Sequence, residues 1–420
     1  MRFSGPRRPF RARVVVPGDK SLSHRALFLA AMAEGESQIR GLGPGADVRS
    51  TAAALRRFGV EVDAESVRSP GIGSWAPPDG PLDAGNSGTT MRLLAGAVAG
   101  RPFTTTITGD DSLMSRPMQR LVGPLQALGA VLSVSEQGTA PLVVTGGDLH
   151  GARVELPLPS AQVRTAVALA ALQADGPTTI SSPPGYRDHT ERWLHHLGIG
   201  ELDAAGRFVV RPGPVPALDV AIPGDPSSAA FLWVAAAICP GASVEATNVS
   251  LNPGRIGILD ALSAMGAEVA ITVTGDILGD PVGDVRVAAG NLRGIELHGV
   301  DVARILDELP VLAVAAAHAE GRTVISDAAE LRAKESDRIA ATVAMVEALG
   351  GTAEETLDGF VVEPVPLTGG LVDCRRDHRI AMAAAISAGR GATVAVEGFD
   401  SVDISWPGFD LALEAMWSSR

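Results

Sequence analysis

Apolar residues recur along the 420-residue chain in long runs rich in alanine and leucine. A polar or glycine-rich turn precedes each run, and a glycine followed by β-branched residues comes after it. The turn and the run predict a helix with a defined start, and the β-branched residues predict a strand. Because the runs are apolar on nearly every face, we expect these helices to be buried inside a domain. The segments with this plan are 20–35, 87–100, 160–176, 225–241, 307–321 and 378–389.

Most of these units continue into a second helix that ends in a large apolar residue followed by glycine. Glycine adopts the left-handed backbone conformation that commonly closes a helix, so each of these glycines is predicted to follow a helix C-terminus. They are Gly59, Gly129, Gly198, Gly266 and Gly350. Mixed units of roughly 70 residues are longer than the common solenoid repeats, which favours globular α/β domains.

The start of the fourth unit nearly repeats the start of the first. Pro-Gly-Asp-Pro-Ser at 223–227 corresponds to Pro-Gly-Asp-Lys-Ser at 17–21. This doubling predicts two homologous halves of three units each, and the strand predicted at 11–16 then belongs with the second half. The predicted domains are 17–223 and 1–16 with 224–420, and the predicted hinge lies near 17–18 and 223–224.

Lysine is scarce in this chain. Lys20 and Lys334 are its two lysines, although lysine and arginine together number 35. Arginine therefore serves wherever a positive surface charge is sufficient. A compact ammonium group can shift its pKa and transfer a proton, which a guanidinium cannot do. The two lysines are therefore candidate catalytic residues.

Composition excludes several classes of function. A formal net charge of −13 and an isoelectric point near 5.1 argue against nucleic acid or an anionic membrane as the main partner. Cys239 and Cys374 lie far apart without metal-ligand spacing, so neither a disulfide framework nor a zinc site is expected. No apolar run is long enough to span a bilayer, and the arginine-rich N-terminus lacks an apolar signal core. We expect a cytoplasmic protein.

Polar side chains gather at the starts of the repeated helices. At 20–25, Lys, Ser and Arg follow a Pro-Gly turn after a β-branched stretch. Strand, turn and helix in this order direct backbone N–H groups and the helix dipole at an anion, and these side chains suit phosphate or carboxylate. The corresponding polar stretches are 84–92, 115–118, 159–164, 186–191, 305–310, 331–338 and 377–380.

These stretches also admit structural interpretations when each is taken alone. The first is not a Walker A loop, because Asp19 separates Gly18 from Lys20. Asp307 could cap a helix, His378 could be a core histidine, and the charges of 334–338 could form a solvated helix face. Polar donors or carboxylates at the same point of all six units favour a binding or catalytic site.

Eight motifs occur in order: P-G-D-K-S-x-S-x-R-A, G-N-S-G-T-T-M-R, S-R-P-M, S-A-Q-V-R, R-D-H-T-E, D-E-L-P, R-A-K-E-S-D-R and D-H-R-I-A-M. Together they resemble the enolpyruvylshikimate-phosphate synthase (3-phosphoshikimate 1-carboxyvinyltransferase) family, over essentially the whole chain. The resemblance implies two inside-out α/β domains, each of three β-α-β-α-β-β units, joined by a two-strand hinge. The chain departs from the family pattern at Glu330, where some members have Asn, and at 404–407, which lacks a lysine.

The resemblance also implies a role for individual residues. Shikimate 3-phosphate would be bound by Lys20, Ser21, Arg25, Ser160, Ala161, Gln162, Tyr186, Arg187, Asp307 and Lys334. Phosphoenolpyruvate would be bound by Lys20, Asn86, Gly88, Arg116, Gln162, Arg338, His378 and Arg379. The catalytic residues would be Asp307, Glu335, Lys334 and Lys20. No cofactor and no metal is implied.

The implied reaction is an addition–elimination. Phosphoenolpyruvate is protonated at its methylene carbon while the shikimate 5-hydroxyl attacks the adjacent carbon, and phosphate and a methyl proton then leave. This chemistry needs an acid and a base close together, with cations around the phosphates and carboxylates. Like charges on the two predicted halves favour an open free enzyme that closes on shikimate 3-phosphate. We expect a monomer.

Two alternative functions remain open at this stage. One is enolpyruvyl transfer to a UDP-sugar on the same fold, which usually employs a loop cysteine. The other is a non-catalytic repeat protein that binds a phosphorylated ligand. Phosphate release measured with each acceptor separates the three interpretations.

Overall fold

The structure is a computed structural model and describes residues 1–6 and 8–419. Within these residues the α-helices are α1 (Lys20–Met32), α2 (Ala46–Arg56), α3 (Gly88–Val98), α4 (Asp111–Met114), α5 (Val122–Gln126), α6 (Ala161–Ala171), α7 (His189–His196), α8 (Pro226–Ile238), α9 (Gly257–Met265), α10 (Gly299–Ile305), α11 (Leu309–Ala317), α12 (Arg338–Ala348), α13 (His378–Ile386) and α14 (Phe409–Trp417). Short 3₁₀ turns at Leu306–Glu308 and Ala329–Ala333 precede α11 and α12.

The strands are short and evenly spread along the described chain. They are β1 (Arg2–Ser4), β2 (Arg11–Val14), β3 (Glu34–Arg40), β4 (Glu61–Val62), β5 (Ser66–Pro70), β6 (Leu82–Asp83), β7 (Thr104–Thr108), β8 (Val131–Ser133), β9 (Leu142–Thr145), β10 (Arg153–Glu155), β11 (Thr178–Ser181), β12 (Gly200–Leu202), β13 (Phe208–Val210), β14 (Asp219–Ala221), β15 (Ser243–Ser250), β16 (Glu268–Ile277), β17 (Asp280–Ala288), β18 (Glu296–Leu297), β19 (Thr323–Ile325), β20 (Ala353–Glu355), β21 (Phe360–Val362), β22 (Gly369–Asp373) and β23 (Thr393–Glu397).

The chain forms two compact units. The N-terminal unit comprises Gly18–Ile222 and Asp276–Asp280, and the C-terminal unit comprises Met1–Pro17, Pro223–Gly275 and Pro281–Arg420. The N-terminal unit contains the sheets β14-β3-β5-β4, β6-β7-β9-β8 and β10-β11-β13-β12. The C-terminal unit contains β16-β17-β15-β2, β18-β19-β21-β20 and β1-β23-β22. A function for 17–18 and 223–224 as a hinge stays a prediction.

The six sheets of the described chain share one plan. Two strands pair in parallel, and the second of them also pairs antiparallel with a third strand. A parallel pair needs a crossover connection, which the helices provide. The predicted α/β fold with three repeated units in each half is confirmed.

The first helices of the repeats are buried, as their all-round apolar sequences predict. Every residue of α8, α11 and α13 is buried, and so are Leu22–Met32 of α1. All five glycines predicted to follow helix ends have positive φ, between 74° and 106°. Close helix packing depends on another glycine: a Cβ on Gly96 of α3 would lie 2.0 Å from the Ala166 carbonyl oxygen of α6. Helices α3 and α6 can therefore approach closely.

The opening strand is shorter than its β-branched residues predict. β2 ends at Val14 rather than Val16, and Val15 is 82% exposed. Its partner β15 is irregular between Ala246 and Val249, and the parallel register stops at the Val14–Ala246 pair. Strand propensity cannot override the loss of a pairing partner.

The turn of the β16–β17 hairpin belongs to the N-terminal unit. Asp280 at the end of this turn pairs with His189, the first residue of α7: His189 Nδ1 lies 2.8 Å from Asp280 Oδ2, and both side chains are fully buried. Arg192 donates a hydrogen bond to the Gly279 carbonyl oxygen at 3.2 Å. These contacts fix the first turn of α7, which follows the polar stretch 186–191.

Candidate active site

The start of α1 is a capped helix terminus. The Asp19 carboxylate accepts a hydrogen bond from the Leu22 backbone N–H at 2.9 Å, which satisfies one of the unpaired donors of the first turn. Lys20 is the first residue of the helix, and its Nζ lies 3.1 Å from Oδ2 of the buried Asp47 on α2. The lysine is held by a carboxylate while part of its side chain stays exposed.

Arg25 is buried one turn further along α1. Its Nε donates to Thr190 Oγ1 at 2.8 Å, its NH2 group to Thr165 Oγ1 at 3.0 Å, and its NH1 group to the Ser21 carbonyl oxygen at 2.9 Å. These three acceptors are uncharged oxygens, and together they orient the guanidinium. Arg25 therefore suits an anionic ligand.

His24 lies beside these cations. It is fully buried, and its Nδ1 is 2.8 Å from Thr51 Oγ1. Burial lowers the pKa of His24 well below its ordinary value, and the nearby charges of Lys20 and Arg25 lower it further. The imidazole is therefore neutral near pH 7.

The starts of α3 and α6 meet through side-chain hydrogen bonds. Arg92 donates to Gln162 Oε1 at 2.6 Å and to the Pro117 carbonyl oxygen at 3.2 Å. Gln162 donates in turn to Thr89 Oγ1 at 2.8 Å. A Cβ on Gly88 would lie 2.7 Å from the Arg92 guanidinium, so glycine there leaves room for the arginine.

Two side chains position Arg116: that of Asn86, in the loop before α3, and that of Ser112, in α4. The Arg116 NH2 group donates to Asn86 Oδ1 at 2.7 Å and to Ser112 Oγ at 3.2 Å. Asn86 is itself held, because its amide donates to Asp110 Oδ2 at 2.7 Å. The structure thus brings together two of the residues predicted to bind phosphoenolpyruvate.

The remaining predicted residues of this unit lie at the starts of α6 and α7. Ser160 caps α6 by accepting a hydrogen bond from the Val163 N–H, and Ala161 is the first residue of that helix. Arg187 lies two residues before α7. Tyr186 is half-buried, with the Arg164 guanidinium carbon 4.0 Å from the centre of its ring.

In the C-terminal unit, Asp307 lies among three cations. Its Oδ1 is 3.1 Å from Arg338 NH1 and 3.8 Å from Lys334 Nζ, and its Oδ2 is 3.8 Å from Arg379 NH2. Lys334 Nζ also lies 3.8 Å from Glu330 Oε1. The sequence prediction placed Asp307 at a helix head, and it lies in the 3₁₀ turn just before α11.

Arg338 connects Asp307 to two further carboxylates. Its Nε donates to Asp377 Oδ2 at 2.7 Å, and its NH2 group donates to Glu335 Oε2. Burial alone would lower the pKa of Arg338, but Asp377, Glu335 and Asp307 outweigh that effect and raise it. Burial would likewise raise the pKa of Asp377, but the charge of Arg338 brings it below its ordinary value. Arg338 and Asp377 are therefore ionised together.

The buried carboxylate of Glu308 contacts the Arg379 guanidinium in the C-terminal unit. Arg379 NH1 donates to the Asp307 carbonyl oxygen at 3.0 Å and lies 3.4 Å from Glu308 Oε1. Glu308 is only 1% exposed and accepts a hydrogen bond from Ser227 Oγ at the start of α8. His378 is the first residue of α13 and directly precedes Arg379 in the sequence. Its side chain is buried.

Several residues of these clusters are not among the predicted ones. Arg92 and Asp377 lie inside quoted motifs, and a charged residue at a buried helix start was an available signal for both. Thr165 and Thr190 contact Arg25 from 140 and 165 residues away, so no local pattern indicates them. Arg164, Glu191 and Glu308 also lie inside quoted motifs, whereas Asp47 lies outside all of them.

Both cysteines are free and buried. Burial raises the pKa of the Cys239 thiol to about 12. Within residues 1–6 and 8–419, no three His, Cys, Asp or Glu side chains are grouped so that they could hold a metal ion. In the same part of the chain, no helix is long and apolar enough to cross a membrane.

Comparison with known proteins identifies relatives of the whole chain. The family model of EPSP synthase (3-phosphoshikimate 1-carboxyvinyltransferase) matches residues 5–413. The 3-phosphoshikimate 1-carboxyvinyltransferase of Desulforudis audaxviator is 46% identical over 420 residues, covering 98% of each chain. That of a Roseiflexus species is 48% identical over 419 residues, covering 96% of each.

Solved structures show the same relationship. The EPSP synthase of Acinetobacter baumannii superposes with a TM-score of 0.86 at 36% identity, covering 99% of this chain and 98% of that one. The enolpyruvyl transferase NikO of Streptomyces tendae has a TM-score of 0.77 at 19% identity, which shows the fold alone. The chain belongs to the EPSP synthase (3-phosphoshikimate 1-carboxyvinyltransferase) family.

Proposed function

We propose that the clusters described above are the machinery by which this chain transfers the enolpyruvyl group of phosphoenolpyruvate to the 5-hydroxyl of shikimate 3-phosphate, releasing phosphate. Family membership supports the reaction. The observation that supports the assignment of residues is the cluster of Lys334, Arg338 and Arg379 around Asp307, with Glu335 on the same arginine.

The N-terminal unit supplies most of the proposed groups for shikimate 3-phosphate. Lys20 and Arg25 provide positive charge at the start of α1, where the helix dipole adds to it. Ser21, Ser160, Ala161, Gln162, Tyr186 and Arg187 complete the proposed set at the starts of α6 and α7. The neutral acceptors around Arg25 support a dianionic ligand, because the guanidinium is oriented before the ligand arrives.

Phosphoenolpyruvate has its proposed groups in both units. Asn86, Gly88, Arg116 and Gln162 belong to the N-terminal unit, together with Lys20. Arg338, His378 and Arg379 belong to the C-terminal unit. Guanidinium groups match carboxylate and phosphate oxygens with paired donors, which supports this assignment.

Proton transfer is assigned to Asp307, Lys334 and Glu335, with Lys20. The methylene carbon of phosphoenolpyruvate must gain a proton during addition and lose one during elimination. Asp307 and Lys334 lie within 3.8 Å of each other and can share a proton, and Glu335 is held by Arg338. Lys334 is also proposed, with Asp307, to contact shikimate 3-phosphate. Their cationic neighbours stabilise the negative charge that develops on the substrates.

The test of the function is phosphate release from phosphoenolpyruvate with shikimate 3-phosphate, with a UDP-sugar, and with no acceptor. We expect release that depends on shikimate 3-phosphate. Release with the UDP-sugar instead would favour the alternative transfer, against which the burial of both cysteines argues. Binding of shikimate 3-phosphate without release in any arm would favour a non-catalytic binding protein.

Three further properties are proposed on the same basis. We expect a monomer located in the cytoplasm. Residues 17–18 and 223–224 are proposed to act as a hinge, which agrees with the points at which the chain passes between its units. A smaller radius of gyration in small-angle scattering with saturating shikimate 3-phosphate tests the hinge, and an unchanged radius in active protein contradicts it.

A further inference from the structure

Two neighbouring pairs of side chains join α6 to α7 in the N-terminal unit. Arg164 Nε on α6 donates to Glu191 Oε1 on α7 at 2.5 Å. One position along each helix, the hydroxyl oxygens of Thr165 and Thr190 are 2.6 Å apart. All four residues are buried. These are two separate contacts: Arg164 pairs with Glu191, and Thr165 pairs with Thr190.

Each pair supports a different group of the proposed shikimate 3-phosphate site. The threonine pair accepts hydrogen bonds from Arg25. The Arg164 guanidinium instead lies over the Tyr186 ring, at 4.0 Å from the ring centre. An arginine at this distance from an aromatic face is attracted to it, and the attraction is stronger where water is excluded.

The guanidinium of Arg164 cannot turn freely. Glu191 holds its Nε, and its NH1 group donates to Ser182 Oγ at 2.9 Å. Two anchored nitrogens fix the guanidinium plane, so the tyrosine ring that stacks on it is also fixed. Burial raises the pKa of the Tyr186 phenol above its ordinary value, in agreement with a ring held partly out of water.

We propose that Arg164 is a positioning residue, which holds the Tyr186 ring where the shikimate ring of the substrate binds. This inference rests on the proposed function, because it assigns a purpose to Tyr186 within the same site. Arg164 acts through the tyrosine and through no contact of its own with substrate. An ion pair that only stabilised the helices would affect stability and leave the tyrosine in place.

Tyr186 is the one tyrosine of the chain, so its position can be measured directly. Full-length protein labelled with 3-fluorotyrosine gives a single ¹⁹F NMR signal. In the wild type we expect a signal displaced from that of the unfolded chain, which moves again when shikimate 3-phosphate binds. In Arg164→Met the signal should move toward the unfolded position, and the Kd for shikimate 3-phosphate should rise about tenfold.

Two further variants separate positioning from general damage. Arg164→Met leaves Glu191 buried without its cation, so the paired change Arg164→Gln with Glu191→Gln removes both charges and keeps a hydrogen-bonding pair. It should give the same shift of the fluorine signal. Thr190→Val is the matched control on the neighbouring pair: it removes a partner of Arg25, so binding should weaken while the fluorine signal stays at its wild-type position.

The outcomes distinguish this inference from the function on which it rests. A folded double variant with wild-type fluorine signal and wild-type affinity would overturn the positioning role. Weaker binding with an unchanged fluorine signal would also overturn it, because the arginine would then act other than through Tyr186. Wild-type protein that binds no shikimate 3-phosphate would instead refute the proposed function, and the signal in Arg164→Met would still show whether the arginine holds the ring.

Discussion

The hydrogen bonds described for Arg25 and Arg92 differ from those of Arg338. In the N-terminal unit, Arg25 and Arg92 donate to threonine hydroxyls, a glutamine amide and backbone carbonyls. In the C-terminal unit, Arg338 donates to three carboxylates, those of Asp307, Glu335 and Asp377. Neutral partners orient a cation for an incoming anion, whereas carboxylate partners create a site in which acids and a base lie side by side. We therefore propose that one fold, repeated twice, carries a binding cluster and a proton-transfer cluster.

The largest expected effect is that of neutralising the central acid of the C-terminal cluster. Asp307→Asn should lower turnover about 10³-fold, within the range typical of a lost general acid or base. Phosphate release at saturating substrates measures it. Asp301→Asn, at an exposed position of α10, is the control and should retain wild-type turnover. An Asp307→Asn turnover within tenfold of wild type would remove this residue from the proton-transfer cluster.

The two lysines provide the next test, because each unit contains one. Lys20→Arg and Lys334→Arg keep the positive charge and remove the compact ammonium. Each should lower turnover by ~10²-fold or more, the scale of general acid–base effects. Circular dichroism checks that the fold persists. Near-normal turnover in either variant would show that charge alone suffices at that position.

Glu308 tests whether a buried carboxylate positions Arg379. Glu308→Gln removes the charge next to the guanidinium and should raise the KM for phosphoenolpyruvate about tenfold, the scale of a hydrogen bond to a charged group. The Kd for shikimate 3-phosphate should not change. Glu320→Gln, at an exposed position beyond α11, is the control. Equal losses for both substrates would indicate a general disturbance of the C-terminal unit.

The smallest effect concerns pH and the N-terminal cluster. The pKa of His24 in the folded protein lies below its unfolded value, so below about pH 6.5 the unfolded chain binds a proton that the folded chain does not. His24 therefore lowers the free energy of unfolding as the pH falls, by up to about 1.4 kcal/mol per pH unit. Urea unfolding of wild type and His24→Gln from pH 8 to pH 5 measures the difference. Parallel curves would show that His24 takes up its proton over the same pH range in the folded and the unfolded protein, which contradicts a lowered pKa.

Much of the fold could be predicted from the sequence, because the same pattern of helix and strand recurs in six units. Six apolar helices with polar starts, and glycines at the ends of the second helices, indicate the α/β units before any contact is known. The candidate site residues were predicted because their motifs lie at or near those starts. The pairings of Arg25 with Thr165 and Thr190 were not predictable, since they depend on how α1, α6 and α7 pack. The end of β2 at Val14 depends likewise on a distant irregularity in β15.

The central claim, that Arg25 of the N-terminal cluster binds shikimate 3-phosphate and Glu335 of the C-terminal cluster takes part in proton transfer, is tested most directly by calorimetric titration of two variants with that substrate. Arg25→Gln should raise the Kd about 10²-fold, the scale of a lost charge-paired hydrogen bond. Glu335→Gln should bind with a Kd within threefold of wild type while its turnover is strongly reduced. If Arg25→Gln binds like the wild type, or if Glu335→Gln loses affinity to the same extent, the different roles assigned to these two residues are wrong.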